Sequence, residues 1–279
     1  MKKAIKHILL PVACCGVFCS FASAQSVGVE AQSHRNVQGA PGGVSNDGID
    51  TFSNFDLNGG NALAVLFTTE NGNLPTVTYD GTTVTNNVWA AMNGGGTFAD
   101  STGAGTGDDN GQLSAIYWLL NPAASSGDVV VTYDSGELAS ISVLSLSNVD
   151  GVGATGFGYN DTGSDITTGY NGLAGSYVVG ASVDNAVNGT APTIGAGSDN
   201  FDTTFLSYDG VNGSPPRDSA SRGHFGGAIA ADGSYEEVFN MEDGRSSAAL
   251  LEFTAVPEPS ALAFFSMIGF LMVLRRRRA

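Results

Sequence analysis

Thr76-Val77-Thr78-Tyr79-Asp80-Gly81-Thr82-Thr83-Val84-Thr85 is the stretch that decides the fold class. β-Branched and aromatic residues flank Asp80-Gly81, a dipeptide able to take the two positive φ angles of a type I′ turn. A two-residue turn fixes the pairing. Tyr79 falls opposite Thr82 and Val77 opposite Val84 on one face, and Thr76, Thr78, Thr83 and Thr85 take the other. One face belongs in a core and the other in water.

The same chemistry recurs outward from this hairpin. Short runs rich in β-branched and aromatic residues at 63–68, 88–92, 113–120, 129–133, 141–146, 177–183, 224–230, 235–239 and 248–253 read as strands. No stretch of the body holds a 3.6-residue apolar period for three turns. The gaps carry Asn, Asp, Ser, Thr and most of the 39 glycines, which are turn formers. The expected architecture over residues 51–255 is all-β, a two-sheet antiparallel sandwich of jelly-roll-like type. Asn121-Pro122 should stop a strand, because proline cannot donate to a ladder. Residues 93–110 are Gly/Asp/Thr-rich and read as a long exposed loop. Residues 25–50, with few large apolar side chains, read as a poorly ordered N-terminal segment.

Four motifs follow one another through this region: the Val77-Thr78-Tyr79-Asp80-Gly81 hairpin, Ile116-Tyr117-Trp118-Leu119-Leu120-Asn121-Pro122, Gly127-Asp128-Val129-Val130-Val131-Thr132, and Ser145-Leu146-Ser147-Asn148-Val149-Asp150. In this order they resemble a β-sandwich module of secreted and phage-associated bacterial proteins, over residues 63–253. They are strand and turn positions, so the resemblance implies a fold and no catalytic residues.

The two ends have a different character. Lys2, Lys3 and Lys6 precede an apolar stretch at 8–21, and Ala22-Ser23-Ala24 supplies small residues for a signal peptidase. Residues 1–24 therefore read as a signal peptide, with a mature start at Gln25. Cys14, Cys15 and Cys19, the three cysteines of the chain, all lie in it, so the exported body is expected to carry no disulfide or thiol chemistry. Bulky Phe18 argues against lipidation at Cys19. At the other end stand Pro257-Glu258-Pro259, an apolar run at 261–274 interrupted only by Ser266, and Arg275, Arg276, Arg277 and Arg278. At about 1.5 Å per residue the run covers roughly 21 Å as a helix, and counting back to Ala255 matches the roughly 30 Å hydrocarbon layer. Each arginine costs about 2.5–3.5 kcal/mol at a bilayer centre, so the four form a membrane stop that stays cytoplasmic and leaves the body outside.

Residues 256–279 resemble the PEP-CTERM sorting signal of Gram-negative envelope proteins, with all three parts present in order. The resemblance implies a single transmembrane sorting helix in the inner membrane. It also implies an exosortase-type membrane protease that recognises Pro257, Glu258 and Pro259, and a link to organisms that make exopolysaccharide. The chain departs from the pattern in having almost no Ser/Thr/Gly-rich spacer before the motif, which leaves the protease little room. An anchor that is never cut is the plainer use of the same residues.

Between Gln25 and Val256 there are 26 acidic residues against Arg35, Arg217, Arg222 and Arg245, with no lysine, a net charge of −22. Nucleic acid is excluded as a partner, because binding requires cations that displace the counterions of phosphate. Such a surface stays soluble by self-repulsion and attracts divalent cations. It is also simply what a salt-adapted secreted protein carries.

Signals for chemistry are few. Only His34 and His224 follow the leader, and no Gly-x-Ser-x-Gly elbow is present, so neither a Ser-His-Asp triad nor a histidine zinc site is expected. Gly151-Val152-Gly153-Ala154-Thr155-Gly156 fits the dinucleotide pattern, but the following Phe157-Gly158-Tyr159-Asn160-Asp161 cannot open the helix that pattern needs. The acid pairs Asp108-Asp109, Glu236-Glu237 and Glu242-Asp243 offer calcium ligands or glycosidase carboxylates. Glycoside hydrolysis requires a separation of about 5–9.5 Å that sequence does not reveal. Asp108, Asp109 and Asn110 form the densest oxygen-rich loop and are the candidate calcium ligands, although no complete D-x-[DN]-x-[DN]-G loop exists. Trp89 and Trp118 are the candidate glycan contacts. Tyr117 and Trp118 are adjacent on a strand and point to opposite faces. The expected function is that of an exported, non-enzymatic cell-surface or extracellular-matrix protein, with no cofactor unless calcium. A glycan-binding module and a polysaccharide-degrading enzyme are the alternatives.

Overall fold

A computed structural model of the chain describes residues 25–37, 47–92, 97–103, 111–135, 139–162, 165–184, 193–201, 208–209, 221–241 and 245–257. Gln25–Val256 is one compact unit, and its regular elements among the described residues are all strands. Numbered in chain order, a six-stranded sheet holds β1 (Gly28–Val37), β10 (Ala139–Ser147), β3 (Ala62–Gly72), β8 (Gly111–Leu120), β6 (Asn86–Met92) and β7 (Phe98–Asp100), in that spatial order. A five-stranded sheet holds β11 (Val149–Asn160), β18 (Ser246–Ala255), β13 (Tyr177–Asp184), β16 (Ser221–Ala228) and β15 (Tyr208–Asp209). Four strands, β2 (Ile49–Asp56), β9 (Ser126–Thr132), β4 (Thr76–Tyr79) and β5 (Thr82–Val84), make a third sheet. The fourth sheet is β12 (Ile166–Gly172), β17 (Gly233–Asn240) and β14 (Thr193–Ile194). Every pairing is antiparallel.

The hairpin behaves as its sequence requires. Asp80 and Gly81 have φ of 46° and 74°, the turn of a type I′ hairpin. Val77 pairs with Val84 and Tyr79 with Thr82, and Val77, Tyr79 and Val84 are buried. β8 ends at Leu120, one residue before Asn121-Pro122.

Alternation along β3 shows how the sheets stack. Leu63, Val65 and Phe67 meet Phe52, Val77, Tyr79, Val129 and Val131 of the four-stranded sheet. Ala62, Ala64 and Leu66 point the other way, onto Val179, Ala181, Leu251 and Phe253 of the five-stranded sheet. The far face of that sheet presents Val178, Phe225 and Leu250 to Ile166, Tyr170 and Phe239 of the three-stranded sheet. The all-β antiparallel expectation therefore holds, but the described residues form four sheets enclosing three cores where two sheets were expected. The reason is physical. A strand buried on both faces loses the apolar–polar alternation that would reveal a second core, and every described position of β13 is buried.

The segment 25–50, expected to be poorly ordered, supplies β1, which pairs along β10 from Gly28 opposite Ser147 to Val37 opposite Ala139. Ladder bonds come from the backbone and need no large apolar side chains. The expected loop at 93–110 contains β7, paired with β6, and Asp100 is buried with its carboxylate accepting from the Thr102 backbone N–H at 2.8 Å.

The Gly-x-Gly-x-x-Gly stretch lies inside β11 and serves packing. A Cβ on Gly156 would lie 2.0 Å from Thr168 Cγ2, and one on Gly158 would lie 2.0 Å from Ile166 Cγ2, so β12 can seat on β11 only where side chains are missing. The chain crosses from the six- to the five-stranded sheet at Asn148, whose φ is 57°. Asn61 completes the crossing: its Nδ2 donates to Val149 O at 2.7 Å and its Oδ1 accepts from Val149 N at 3.0 Å. Asn148 also joins the ends of the body, donating from Nδ2 to Ser26 O at 3.1 Å and accepting from Val256 N at 2.9 Å.

Stacking on both faces of β3 has a measurable consequence. Leu66→Ala should cost about 2–5 kcal/mol and Phe67→Ala about 3–5 kcal/mol in chemical denaturation, although the two are neighbours pointing in opposite directions. Thr83→Ala, on the outer side of the hairpin, should stay within about 0.5 kcal/mol. A near-neutral result at either Leu66 or Phe67 contradicts the layering.

Candidate functional site

β12 shows a strict two-residue burial pattern, with Ile166, Thr168, Tyr170 and Gly172 inward and Thr167, Gly169 and Asn171 outward. In its pairing with β17, Gly169 stands opposite Glu236 and Asn171 opposite Ser234, so these four share the outer face. The turn after β14 lies along the other edge of β17. There Asp199 N donates to Glu236 O at 3.0 Å, and Glu236 N donates to Asp199 Oδ2 at 2.8 Å. The result is an open cleft of about 560 Å³ over Gly169, lined by Asn171, Asp199, Ser234 and Glu236, with Tyr170, Tyr235 and Gly197 completing its wall. Ser234 Oγ donates to Asn171 Oδ1 at 2.8 Å. None of these side chains is basic.

The inner side of the same strand carries a buried acid. Glu237 is fully enclosed, and its carboxylate accepts from Tyr170 OH at 2.9 Å, Asn200 N at 3.1 Å, Asn200 Nδ2 at 3.3 Å and Phe201 N at 3.3 Å. Burial pushes its carboxyl above the ordinary value of 4.5, and the bonds from Tyr170, Phe201 and Asn200 pull against that rise. The Tyr170 phenol is held well above its ordinary range, first by burial and then by the Glu237 charge. These bonds tie the 199–201 turn to β17 and so fix Asp199 at the cleft. Glu236 and Glu237 are neighbours on one strand and point to opposite faces, which removes them as a pair of carboxylates acting across one sugar.

A second polar cluster joins distant parts of the chain. Ser142 Oγ lies 2.8 Å from His34 Nδ1 and 2.6 Å from His224 Nδ1, and His224 Nε2 lies 3.4 Å from Thr68 Oγ1. The two imidazoles are edge to face with centroids 5.9 Å apart. A hydroxyl has one hydrogen, so in the neutral state Ser142 donates to one ring and accepts from the N–H of the other. Ser142 and His224 are both buried between the six- and five-stranded sheets, where no substrate reaches the hydroxyl; the cluster is a polar pin rather than a nucleophile with its base. Nearby, Ser114 Oγ donates to Ser247 O at 3.0 Å across the same pair of sheets.

The other residues singled out in the sequence are dispersed. Trp89 packs toward the four-stranded sheet and Trp118 toward the five-stranded one, both half-buried, so they lie on opposite faces of the six-stranded sheet and form no common platform. Tyr117 is buried on the side opposite Trp118, its hydroxyl donating to Pro75 O at 2.7 Å. Pro257 is exposed just beyond β18. Residues 1–24, Asp108, Asp109, Asn110, Glu242, Asp243, Glu258, Pro259 and Arg275 to Arg278 lie outside the described residues. Among the described residues no three His, Cys, Asp or Glu side chains are placed to hold a metal ion. Sequence reasoning passed over Tyr170, Asn171, Asp199 and Ser234. The alternation of Ile166, Thr168 and Tyr170 was the available signal, hidden by Gly169 among them and Gly172 beyond.

No family model matches the chain, and no curated protein and no solved structure matches it either.

Two substitutions test the buried groups. Ser142→Ala should lower stability by about 1–3 kcal/mol in denaturant titration, since both imidazoles lose their shared hydroxyl. Because the Glu237 carboxyl is raised in the folded chain, its contribution to stability is fully present below 4.5 and is lost as pH rises through the folded value. Glu237→Ala should therefore destabilise by about 1–3 kcal/mol, with the deficit shrinking as pH climbs above the ordinary carboxyl range. A deficit that grows with pH contradicts this account.

Proposed function

We propose that the chain is an exported, non-enzymatic cell-surface or extracellular-matrix protein, sorted through a PEP-CTERM tail and associated with exopolysaccharide. The observation that carries this reading is the C-terminal order of Pro257-Glu258-Pro259, an apolar run and four arginines, matched at the other end by a basic and apolar leader. The exposure of Pro257, two residues past the last residue of β18, supports access for a membrane protease despite the short spacer. The net charge of −22 between Gln25 and Val256 suits a body that stays dispersed in a hydrated matrix. At the level of architecture we read the facing sheets as sandwiches of jelly-roll-like type, followed by a single transmembrane sorting helix.

The tail can be tested directly. Replacing Pro257, Glu258 and Pro259 together by alanine should convert a trimmed product in the envelope or medium into a longer, membrane-held form, read by intact mass. Identical masses for both proteins, or a full-length product in the cytoplasm, would refute the proposal.

A further inference from the structure

We propose that the cleft over Gly169 binds a neutral oligosaccharide segment. In taking a sugar chain as the relevant occupant, this rests on the polysaccharide-associated reading above.

The lining decides the class of ligand by elimination. At about 560 Å³ the cleft is within the roughly 300–1,000 Å³ of small-ligand sites. An anion such as a phosphate or a uronate would face Glu236 and Asp199 with no basic side chain among the described lining residues to offset them. A wholly apolar ligand would strip water from the same carboxylates with nothing returned. A neutral molecule that brings many hydroxyl donors and some C–H surface satisfies both conditions.

The polar groups are held ready for such a molecule. Carboxylates only accept, so Glu236 and Asp199 require a ligand rich in donors. Asp199 is fixed by the Glu236 N–H at 2.8 Å, and Asn171 by Ser234 at 2.8 Å through its carbonyl oxygen, which leaves the Asn171 amide hydrogens for ligand oxygens. Tyr170 and Tyr235, cross-strand partners with ring centroids 5.8 Å apart, pack into the core beneath the cleft, so what a ligand meets on the outer face is mainly polar. Asn171, Ser234 and Glu236 stand on paired strands and Asp199 is bonded to one of them, so the arrangement is set by the sheet.

Gly169 provides a clean way to close the cleft. It has no left-handed φ, and an added Cβ would meet only Tyr235 O, at 3.8 Å, so a larger side chain goes into the cleft and leaves the fold alone. The full chain in a zwitterionic detergent should be titrated with cellohexaose, maltohexaose and laminarihexaose, and with hexagalacturonate as the anionic counterpart, by saturation-transfer NMR with chelator present. At least one neutral hexaose should bind and hexagalacturonate should not. Gly169→Trp should weaken binding by about tenfold or more, and Asn171→Ala and Glu236→Gln by about three- to tenfold, with the thermal midpoint unchanged; tenfold corresponds to 1.4 kcal/mol. Absence of binding by all three neutral hexaoses, or binding that survives Gly169→Trp, would overturn the assignment. A trimmed tail without hexaose binding would remove the cleft alone, whereas hexaose binding by an untrimmed cytoplasmic chain would remove the export reading alone.

Discussion

The contact between the six- and five-stranded sheets is the constraint on which the rest of the molecule depends. The central strands of these sheets, among them β10 in one and β13 and β18 in the other, are buried on both faces, so they have no solvent side and must be apolar or internally satisfied. Small residues keep this contact close in the middle, with Ala62 and Ala64 of β3 facing Ala181 of β13 and Ala249 of β18. Toward one end it becomes polar, and the hydroxyls and imidazole there are hydrogen-bonded: Ser114 to Ser247, and Ser142 between His34 and His224. A buried polar group without a partner costs about 1–3 kcal/mol, so these pairs fix a single way for the sheets to meet. Five residues of β10, Val143 to Ser147, separate Ser142 from the crossing at Asn148 that leads into the second sheet.

The fold class was legible because turn and strand chemistry are local. Asp80-Gly81 specified its own turn and register, and nine apolar runs became strands close to their expected positions. What remained hidden was non-local. β1 carries little apolar bulk and is held by its ladder to β10, and β11 is so rich in glycine that it resembles a loop until β12 is laid on it. The number of sheets was hidden for a related reason, since continuous burial along β10, β13 and β18 does not distinguish one covered face from two.

The candidate cleft was less legible than the fold. Its residues come from β12, β17 and the turn after β14, as three short groups, Gly169-Tyr170-Asn171, Gly197 with Asp199, and Ser234-Tyr235-Glu236, far apart in sequence. Glu236-Glu237 was visible as a pair, but its meaning reversed once the strand was placed: one acid faces solvent, and the other is a buried acceptor for the 199–201 turn. His34 and His224, separated by 190 positions, carried no sequence signal of their shared hydroxyl. Trp89 and Trp118, the aromatics that stood out by type, are divided by the sheet they sit on.

The bonds from Asn148 to Ser26 and Val256 place entry and exit of the body at one corner. A polypeptide that begins and finishes at the same spot is a cassette: it tolerates splicing into a host loop, and closing that corner with a short bridge while opening a distant turn would preserve every ladder. Ser26 and Val256 are therefore neighbouring points of attachment for any fused segment.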